Sequence, residues 1–192
     1  MKDKFLTFLV AVWAIAIGIG FVWMTDYASR PGKKGAFPEH LVIKQTPDAN
    51  NLAQLFLFIH PQCPCSRATL KNLAGIEANA GEKVNIKVFF YKPDEFSDDW
   101  TKTDLWYQAK SIPNITVSNI SDKELKKFGV MTSGQALLYD ANGDLTFSGG
   151  ITINRGDEGF SEGRRIIQNI LLNNEYNETQ TPVFGCALNS ED

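Results

Sequence analysis

The feature that most constrains this chain is an apolar run close to its start. Phe5 to Met24 contains 20 consecutive residues without a charged side chain. An α-helix rises about 1.5 Å per residue, so such a run spans roughly 30 Å, the thickness of the hydrocarbon core of a bilayer. The run therefore predicts a transmembrane anchor over residues 5–24, preceded by a short tail over residues 1–4.

A cleaved signal peptide is the alternative interpretation of this run. The apolar region of such a peptide is usually about 7 to 15 residues long and ends in small residues at the cleavage site. Here the run is longer, and Asp26 lies where a small residue is needed for cleavage after Ala28. Trp23 and Tyr27 lie at one end, where amphipathic rings favour the lipid–water boundary. We therefore expect a retained anchor.

The charges beside the run do not decide its orientation. Lys2, Lys4 and the terminal amine precede it, and Arg30, Lys33 and Lys34 follow it, so the positive-inside count is nearly balanced. A very short N-terminal tail followed at once by an apolar run is the usual geometry of a signal anchor. This geometry predicts that the large domain lies outside the cytoplasm.

The remainder of the chain is acidic. The whole chain carries a net charge of −3, but residues 1–34 hold five basic and two acidic side chains. The 14 basic and 20 acidic side chains that remain give the rest a net charge of −6. An acidic surface repels phosphate backbones, and no basic stripe with interleaved aromatic residues offsets this. We predict no nucleic-acid partner.

Strands and helices alternate after a predicted linker over residues 25–40. We predict a domain over residues 41–175 and a C-terminal tail over residues 176–192. The order β-β-α-β-α-β-α-β-β-α follows from apolar runs, helical periodicity and an Asn-Gly hairpin turn. The predicted strands are 41–44, 55–59, 84–91, 115–120, 135–139 and 145–148, and the predicted helices are 64–79, 101–110, 122–128 and a last helix capped by Ser161 and running to about residue 173.

Two cysteines lie at a predicted strand-to-helix junction, in Cys63-Pro64-Cys65. If the helix begins here, Pro64 occupies the first helical position and Cys63 is the N-cap. The Cys63 thiolate would then face unpaired backbone N–H groups and the positive end of the helix dipole, with Arg67 nearby. Each of these lowers the pKa of a thiol. We therefore predict that Cys63 is a nucleophile.

Cys65 is the natural resolving thiol for such a nucleophile. Helical residues two apart have Cα atoms about 5.4 Å apart, within disulfide range, but their side chains point to different faces. A Cys63–Cys65 disulfide would be strained, and strain raises the reduction potential. The alternative is two incidental buried thiols without redox chemistry.

The third cysteine, Cys186, lies in the polar tail beyond the last predicted helix. The apolar patch Pro182-Val183-Phe184 just before it predicts that the tail docks back on the domain. Cys186 then either reaches the Cys63/Cys65 site as a second resolving thiol or is a lone structural cysteine. The sequence leaves both possibilities open.

Metal binding is a different interpretation of the same residues. His60, Cys63 and Cys65 form a His-x-x-Cys-x-Cys cluster of soft ligands that suits Cu(I) or Zn(II). His60 is otherwise a boundary residue at a strand end. Under the redox interpretation no cofactor is required, whereas under this alternative the protein binds or delivers copper.

A glycine-bearing loop, 154–159, precedes the last predicted helix and contains Arg155. Such a loop at a helix start could hold an anion, but this one lacks a full phosphate-binding pattern. We interpret it as a solvated turn.

These elements resemble the thioredoxin fold over roughly residues 41–173. More narrowly, the chain is similar to the membrane-anchored thioredoxin-like proteins of the bacterial RedB type. This resemblance implies an α/β three-layer sandwich with a mixed central sheet, on the outer, periplasmic face of the inner membrane. The motifs that carry it are His60-Pro61, Cys63-Pro64-Cys65-Ser66, Thr132-Ser133-Gly134, Gly149-Gly150-Ile151-Thr152 and Val183-Phe184-Gly185-Cys186.

The chain departs from ordinary thioredoxins in two places. Its cysteines have Cys-x-Cys rather than Cys-x-x-Cys spacing. In the wider family a cis-proline opposite the active site presents backbone to the substrate and keeps metal from the cysteines, and here Ser133 and Gly134 take that place. The missing proline weakens the general oxidoreductase interpretation and favours the metal one.

Three hypotheses follow from the sequence. In the first, the protein is a membrane-tethered thiol-disulfide oxidoreductase in which Cys63 attacks a partner disulfide and Cys65, or Cys186, resolves the mixed disulfide. It requires a protein thiol or disulfide partner and an upstream electron donor or acceptor. The second is the copper protein, and the third is a docking module without turnover. The predicted supporting residues of the site are His60, Pro64, Arg67, Ser133 and Gly134.

Overall fold

The N-terminal unit is a single helix. A computed structural model describes residues 2–41 and 52–188, and the chain divides into two compact units, Met1–Arg30 and Pro31–Asp192. Helix α1 (Lys2–Ser29) is long and apolar enough to cross a membrane. It continues through Ser29, so the first five residues of the predicted linker belong to this helix.

The second unit is built on a mixed five-stranded sheet with the order β3-β2-β1-β4-β5. β1 pairs in parallel with β2, and β2 with β3. β4 runs antiparallel to β1, and β5 antiparallel to β4. The strands are β1 (Ala53–Ile59), β2 (Val84–Tyr91), β3 (Ile115–Ile120), β4 (Gln135–Tyr139) and β5 (Leu145–Gly150).

Helices cover both faces of this sheet, because its central strand is apolar on both sides. Leu55, Leu57 and Ile59 of β1 pack in one core with side chains of α2, α3 and α5. Phe56 and Phe58 point to the opposite face and pack in a second core with side chains of α4. The helices are α2 (Ser66–Ala80), α3 (Asp104–Lys110), α4 (Asp122–Phe128) and α5 (Glu162–Asn173).

Three layers and this strand order make a thioredoxin-like sandwich, as predicted. β2, β3, β4 and α4 begin and end at the predicted residues. Ser161 caps α5 by accepting a hydrogen bond from the Arg164 N–H at 3.2 Å. Of the predicted strand 41–44, residues 42–44 lie outside the described residues, and Leu41 is not in a strand.

Two predicted helices begin later than expected. α3 begins at Asp104 and not at Thr101, because Thr101 ends a separate 3₁₀ turn, Asp98–Thr101. α2 begins at Ser66 and not at Pro64, because the residues before it form tighter i→i+3 turns. The Ser66 N–H donates to the Cys63 carbonyl at 3.0 Å and the Arg67 N–H to the Pro64 carbonyl at 3.3 Å. The N-cap is therefore Cys65, and the prediction that Cys63 is the N-cap is wrong.

Truncation of Phe56 should test the second core. Its ring is fully buried, with centroids 5.6 Å from Phe128 and 5.9 Å from Tyr139. We expect Phe56→Ala to lower the free energy of unfolding by about 3 to 5 kcal/mol, measured by denaturant unfolding of the full chain in detergent. Phe160→Ala, at a ring that is 70% exposed, is the control and should change it by less than about 0.5 kcal/mol. Equal decreases in the free energy of unfolding of the two variants would contradict the assignment of Phe56 to the second core.

Candidate active site

The first cysteine lies where the central strand ends. β1 ends at Ile59, and a tight turn follows in which the Cys63 N–H donates to the His60 carbonyl at 3.1 Å. The Thr103 hydroxyl donates to the Pro61 carbonyl at 2.9 Å and so ties this turn to the segment before α3. The Cys63 sulfur is consequently held at the carboxyl end of the central strand, beside the start of α2.

All three cysteines meet at this point. Cys63 is only 1% exposed, Cys65 and Cys186 are half-buried, and none is in a disulfide. Both Cys65 and Cys186 lie close enough to Cys63 for the three thiols to shift one another's pKa. The structure thus brings Cys186 to the predicted pair, one of the two arrangements that the sequence left open.

Hydrogen bonding lowers the pKa of the Cys63 thiol. The largest cause is hydrogen bonding with the Cys186 thiol, and the Cys186 backbone, the Ser66 hydroxyl and the Cys65 backbone act in the same direction. Together they lower the pKa from 9.0 to about 5, although burial raises it. The lowered pKa favours the thiolate form of Cys63 at neutral pH.

Two buried serines extend this hydrogen bonding towards β1. The His60 N–H donates to Ser133 Oγ at 2.8 Å, and Ser133 Oγ lies 3.0 Å from Ser66 Oγ. Either serine hydroxyl can be the donor in this bond. When Ser66 gives its proton to the Cys63 sulfur, Ser133 donates to Ser66, and the bonds then run in one direction towards the sulfur.

The two neighbouring thiols stay protonated. Burial, followed by the negative charge of Cys63, raises the pKa of Cys65. The hydrogen bond that Cys186 donates to Cys63, followed by burial, raises the pKa of Cys186. Arg155 acts in the opposite direction on both thiols. The site thus contains one thiolate and two protonated thiols.

The arginine at the site is not the predicted one. Arg67 points to α3, where its guanidinium pairs with the Asp104 carboxylate. Arg155 comes instead from the loop before α5, donates to the Gly185 carbonyl and hydrogen bonds Cys65. Our interpretation of this loop as a solvated turn missed the contact, and its only sequence signal was an arginine among glycines.

His60 contributes to the site through its backbone. Its ring packs against Trp100 at 5.5 Å and Tyr91 at 6.2 Å between centroids, and its Nδ1 accepts from the Gln62 N–H at 3.2 Å. Burial lowers the pKa of the imidazole, which favours its neutral form. Pro64, in turn, is an exposed turn residue and not the first residue of α2.

The metal interpretation gains no geometric support. Within residues 2–41 and 52–188, no group of three or more His, Cys, Asp or Glu side chains is arranged to hold a metal ion. Copper binding by His60, Cys63 and Cys65 stays a prediction that rests on residue types alone.

The Ser133-Gly134 segment lies opposite the cysteines, as predicted. Gly134 has φ +90°, a conformation that only glycine adopts readily, and its N–H donates to the Phe58 carbonyl at 2.7 Å. The Ser133 N–H donates to the Cys186 carbonyl at 2.8 Å. The segment is therefore bound to β1 on one side and to the C-terminal tail on the other.

Removing the Ser66 hydroxyl should weaken the thiolate. One hydrogen bond to a charged group contributes about 1.5 to 3 kcal/mol. We therefore expect Ser66→Ala to raise the pKa of Cys63 by about 1 to 2 units, measured as the midpoint of the ultraviolet thiolate absorbance of the reduced chain. Ser111→Ala, at an exposed serine just after α3 whose hydroxyl donates to the Gln108 carbonyl, should leave the midpoint unchanged. An unchanged midpoint in Ser66→Ala would remove Ser66 from the site.

The same pKa makes the stability of the reduced protein depend on pH. Between its folded value of about 5 and its ordinary value of 9.0, Cys63 is a thiolate when folded and protonated when unfolded. The free energy of unfolding therefore rises with pH across this window, by at most about 1.4 kcal/mol per pH unit, and falls as the pH drops towards 5. Because the pKa of both Cys65 and Cys186 is raised, neither loses its proton in this window.

We expect this rise in the wild type and its loss in Cys63→Ser, measured by denaturant unfolding of the reduced full chain. Taking the difference between the two proteins cancels the groups they share. Parallel stability curves between pH 5 and 9 would contradict the lowered pKa.

Comparison with known proteins shows the fold. No family model and no curated protein matches the chain. Among solved structures, it is similar to a hypothetical protein from Sinorhizobium meliloti 1021 (19% identity, TM-score 0.56, covering 84% of this chain and 96% of that one). It is also similar to an uncharacterized conserved protein from Geobacillus kaustophilus (16%, 0.56, 83% and 92%).

A secreted Mycobacterium tuberculosis disulfide oxidoreductase, described as homologous to Escherichia coli DsbE, is more distant (16%, 0.44, 63% and 81%). The first two similarities, at TM-score 0.56 and low identity, show similarity of fold and not of activity. The chain has a thioredoxin-like fold, and its chemistry has to be argued from its own cysteines.

Proposed function

We propose that this chain is a membrane-tethered thiol-disulfide oxidoreductase in which Cys63 is the attacking thiolate. The observation that carries this proposal is a buried Cys63 at the end of the central strand, with Cys65 beside it in the chain and with the Cys186 segment bonded to Ser133 opposite it. Hydrogen bonding, led by that with Cys186, lowers the pKa of Cys63 to about 5. Structural buried cysteines are inert, whereas a thiolate beside a second thiol is what disulfide exchange requires.

The exchange begins when the Cys63 sulfur attacks one sulfur of a partner disulfide. A bond forms between these two sulfurs, and the other partner sulfur leaves as a thiolate. A second thiol of this chain then loses its proton to that thiolate and attacks the Cys63 sulfur. The partner leaves with both sulfurs reduced, and two electrons have passed to it from this chain.

The cycle is closed by an upstream partner. A dithiol electron donor reduces the internal disulfide by the same exchange and restores the Cys63 thiolate. Run in the opposite direction, the same steps oxidise a partner dithiol, and a disulfide-bearing acceptor then restores the oxidised chain.

The charges at the site order these steps. While Cys63 is ionised, burial and then its negative charge raise the pKa of Cys65, and the hydrogen bond to Cys63, burial and that charge raise the pKa of Cys186. The mixed disulfide removes the charge of Cys63, so that one cause of the raised pKa is lost while Arg155 continues to lower it. Reaction of Cys63 thus makes the resolving thiol easier to ionise.

The location of the protein belongs to the same proposal. α1 is long and apolar enough to cross a membrane. We propose that the domain lies in the periplasm on the outer face of the inner membrane, as in proteins of the RedB type. Disulfides persist in oxidising compartments of this kind, where protein thiols and disulfides would be its partners.

Trapping the mixed disulfide tests the proposed function. The full chain in detergent, with Cys65→Ser and Cys186→Ser, should react with oxidised glutathione and keep one glutathione on Cys63, as seen by intact mass. The wild type should pass through this adduct and release the glutathione, because a second thiol resolves it. In Cys63→Ser, the glutathione adduct should not form at a comparable rate. An adduct that forms equally fast in Cys63→Ser would show that Cys63 is not the nucleophile.

A further inference from the structure

The tail that carries Cys186 pairs with the loop opposite the active site. We call residues Thr181–Leu188 the C-terminal strap. The Ser133 N–H donates to the Cys186 carbonyl at 2.8 Å, and the Leu188 N–H donates to the Met131 carbonyl at 2.9 Å. Between these bonds, Thr132 and Ala187 form an antiparallel β-bridge. The strap thus pairs with residues 131–133 through one isolated β-bridge and the two hydrogen bonds that flank it.

Further contacts hold the earlier half of the strap. The Gly150 N–H donates to the Pro182 carbonyl at 3.2 Å, and the Gly32 N–H to the Val183 carbonyl at 2.8 Å. The Arg155 guanidinium binds the Gly185 carbonyl. Val183 and Leu188 are buried, at 8% and 2% exposure, and Leu188 belongs to the second core.

The strap backbone lies so close to the backbone of Ser133 that only a small residue fits immediately before Cys186. A Cβ atom at Gly185 would lie 1.9 Å from the Ser133 carbonyl oxygen, a distance that no side chain can occupy. The contact is with backbone that is itself hydrogen-bonded on both sides of Ser133, so it cannot move aside cheaply. A strand in this place therefore carries glycine immediately before its cysteine.

We infer that the C-terminal strap is a tethered occupant of the groove in which this protein binds its partners, and that Cys186 is the thiol that forms the internal disulfide with Cys63. The partners are then extended polypeptide segments with a glycine before the reactive cysteine. Such a segment pairs with Met131–Ser133 in place of the strap. This inference rests on the proposed function and identifies its resolving thiol and its substrate class.

In the proposed exchange, the C-terminal strap and the partner segment pair with Met131–Ser133 in turn. The strap leaves, and the partner segment enters and forms a disulfide with Cys63 while its other sulfur departs as a thiolate. When the strap returns, the Cys186 sulfur loses its proton to that thiolate and attacks Cys63. A Cys63–Cys186 disulfide forms, the bond to the partner breaks, and the partner leaves with both sulfurs reduced.

Detaching the strap by Gly185→Val provides the test. In the reduced full chain in detergent, at a pH above 9.0, Cys63 is a thiolate with or without the hydrogen bonding of Cys186, and it should react slowly with iodoacetamide because it is only 1% exposed. We expect Gly185→Val to react at least about tenfold faster at this pH, since the protecting contact of the strap is lost. Ala187→Val, at an exposed position of the same strap, is the matched control and should react at the wild-type rate.

A peptide measurement keeps the test informative if Gly185→Val perturbs the fold. A synthetic peptide spanning residues 181–188, with serine in place of the cysteine, should restore slow alkylation when added to Gly185→Val. The same peptide carrying Gly185→Val should not. Failure of the first peptide to protect Cys63 would overturn the inference, as would an alkylation rate in Gly185→Val equal to that of the wild type.

The disulfide that forms in the oxidised wild type independently tests which cysteine pairs with Cys63. Peptide mapping should find Cys63 joined to Cys186 with Cys65 free, and a Cys63–Cys65 disulfide with Cys186 free would overturn the inference. In that case Cys63 would still form mixed disulfides with glutathione. Loss of those adducts would instead mark failure of the proposed function.

Discussion

The hydrogen bonds at the Cys63 sulfur are the interaction on which the site depends. Their donors come from two separate parts of the chain: the turn that opens α2 supplies Cys65 and Ser66, and the C-terminal strap supplies Cys186. The loop before β4 supports both, because Ser133 bonds Ser66 through its hydroxyl and Cys186 through its backbone. The groups that lower the pKa of this one sulfur thus come from segments that are more than a hundred residues apart in the chain.

This arrangement explains how the chain works without the proline of ordinary thioredoxins. Ser133 and Gly134 still present backbone opposite the cysteines, and the Ser133 side chain adds a hydrogen bond that a proline lacks. The Cys-x-Cys spacing also acquires a different meaning. With Cys186 in contact with Cys63, a strained bond between Cys63 and Cys65 is no longer the only internal disulfide open to the protein.

The sheet and the position of the nucleophile could be predicted because their signals are local. The apolar pattern of Val84–Tyr91 and the Asn-Gly turn after β4 are contained within a few residues. The start of α2 was predicted two residues early, since Pro64 suits both a first helical turn and the tighter turn that forms here. Arg67 was assigned to Cys63 by closeness in sequence, but its guanidinium is taken by Asp104.

Contacts between distant segments could not be predicted in this way. Arg155 and Gly185 meet at the site only because the loop before α5 and the strap fold over the same edge of the sheet. The apolar patch before Cys186 predicted that the tail docks, but no periodic pattern specifies where. The role of the Ser66 hydroxyl at Cys63 could not be predicted either, because the only sequence signal is that Ser66 follows Cys65.

The pH titration of the Cys63 thiolate tests the central claim most directly. The ultraviolet thiolate absorbance of the reduced full chain in detergent, minus that of Cys63→Ser, reports this sulfur alone. The hydrogen bonds described above predict a midpoint at about pH 5. A midpoint near 9.0, the ordinary value, would show that this hydrogen bonding does not stabilise a thiolate and would contradict the account.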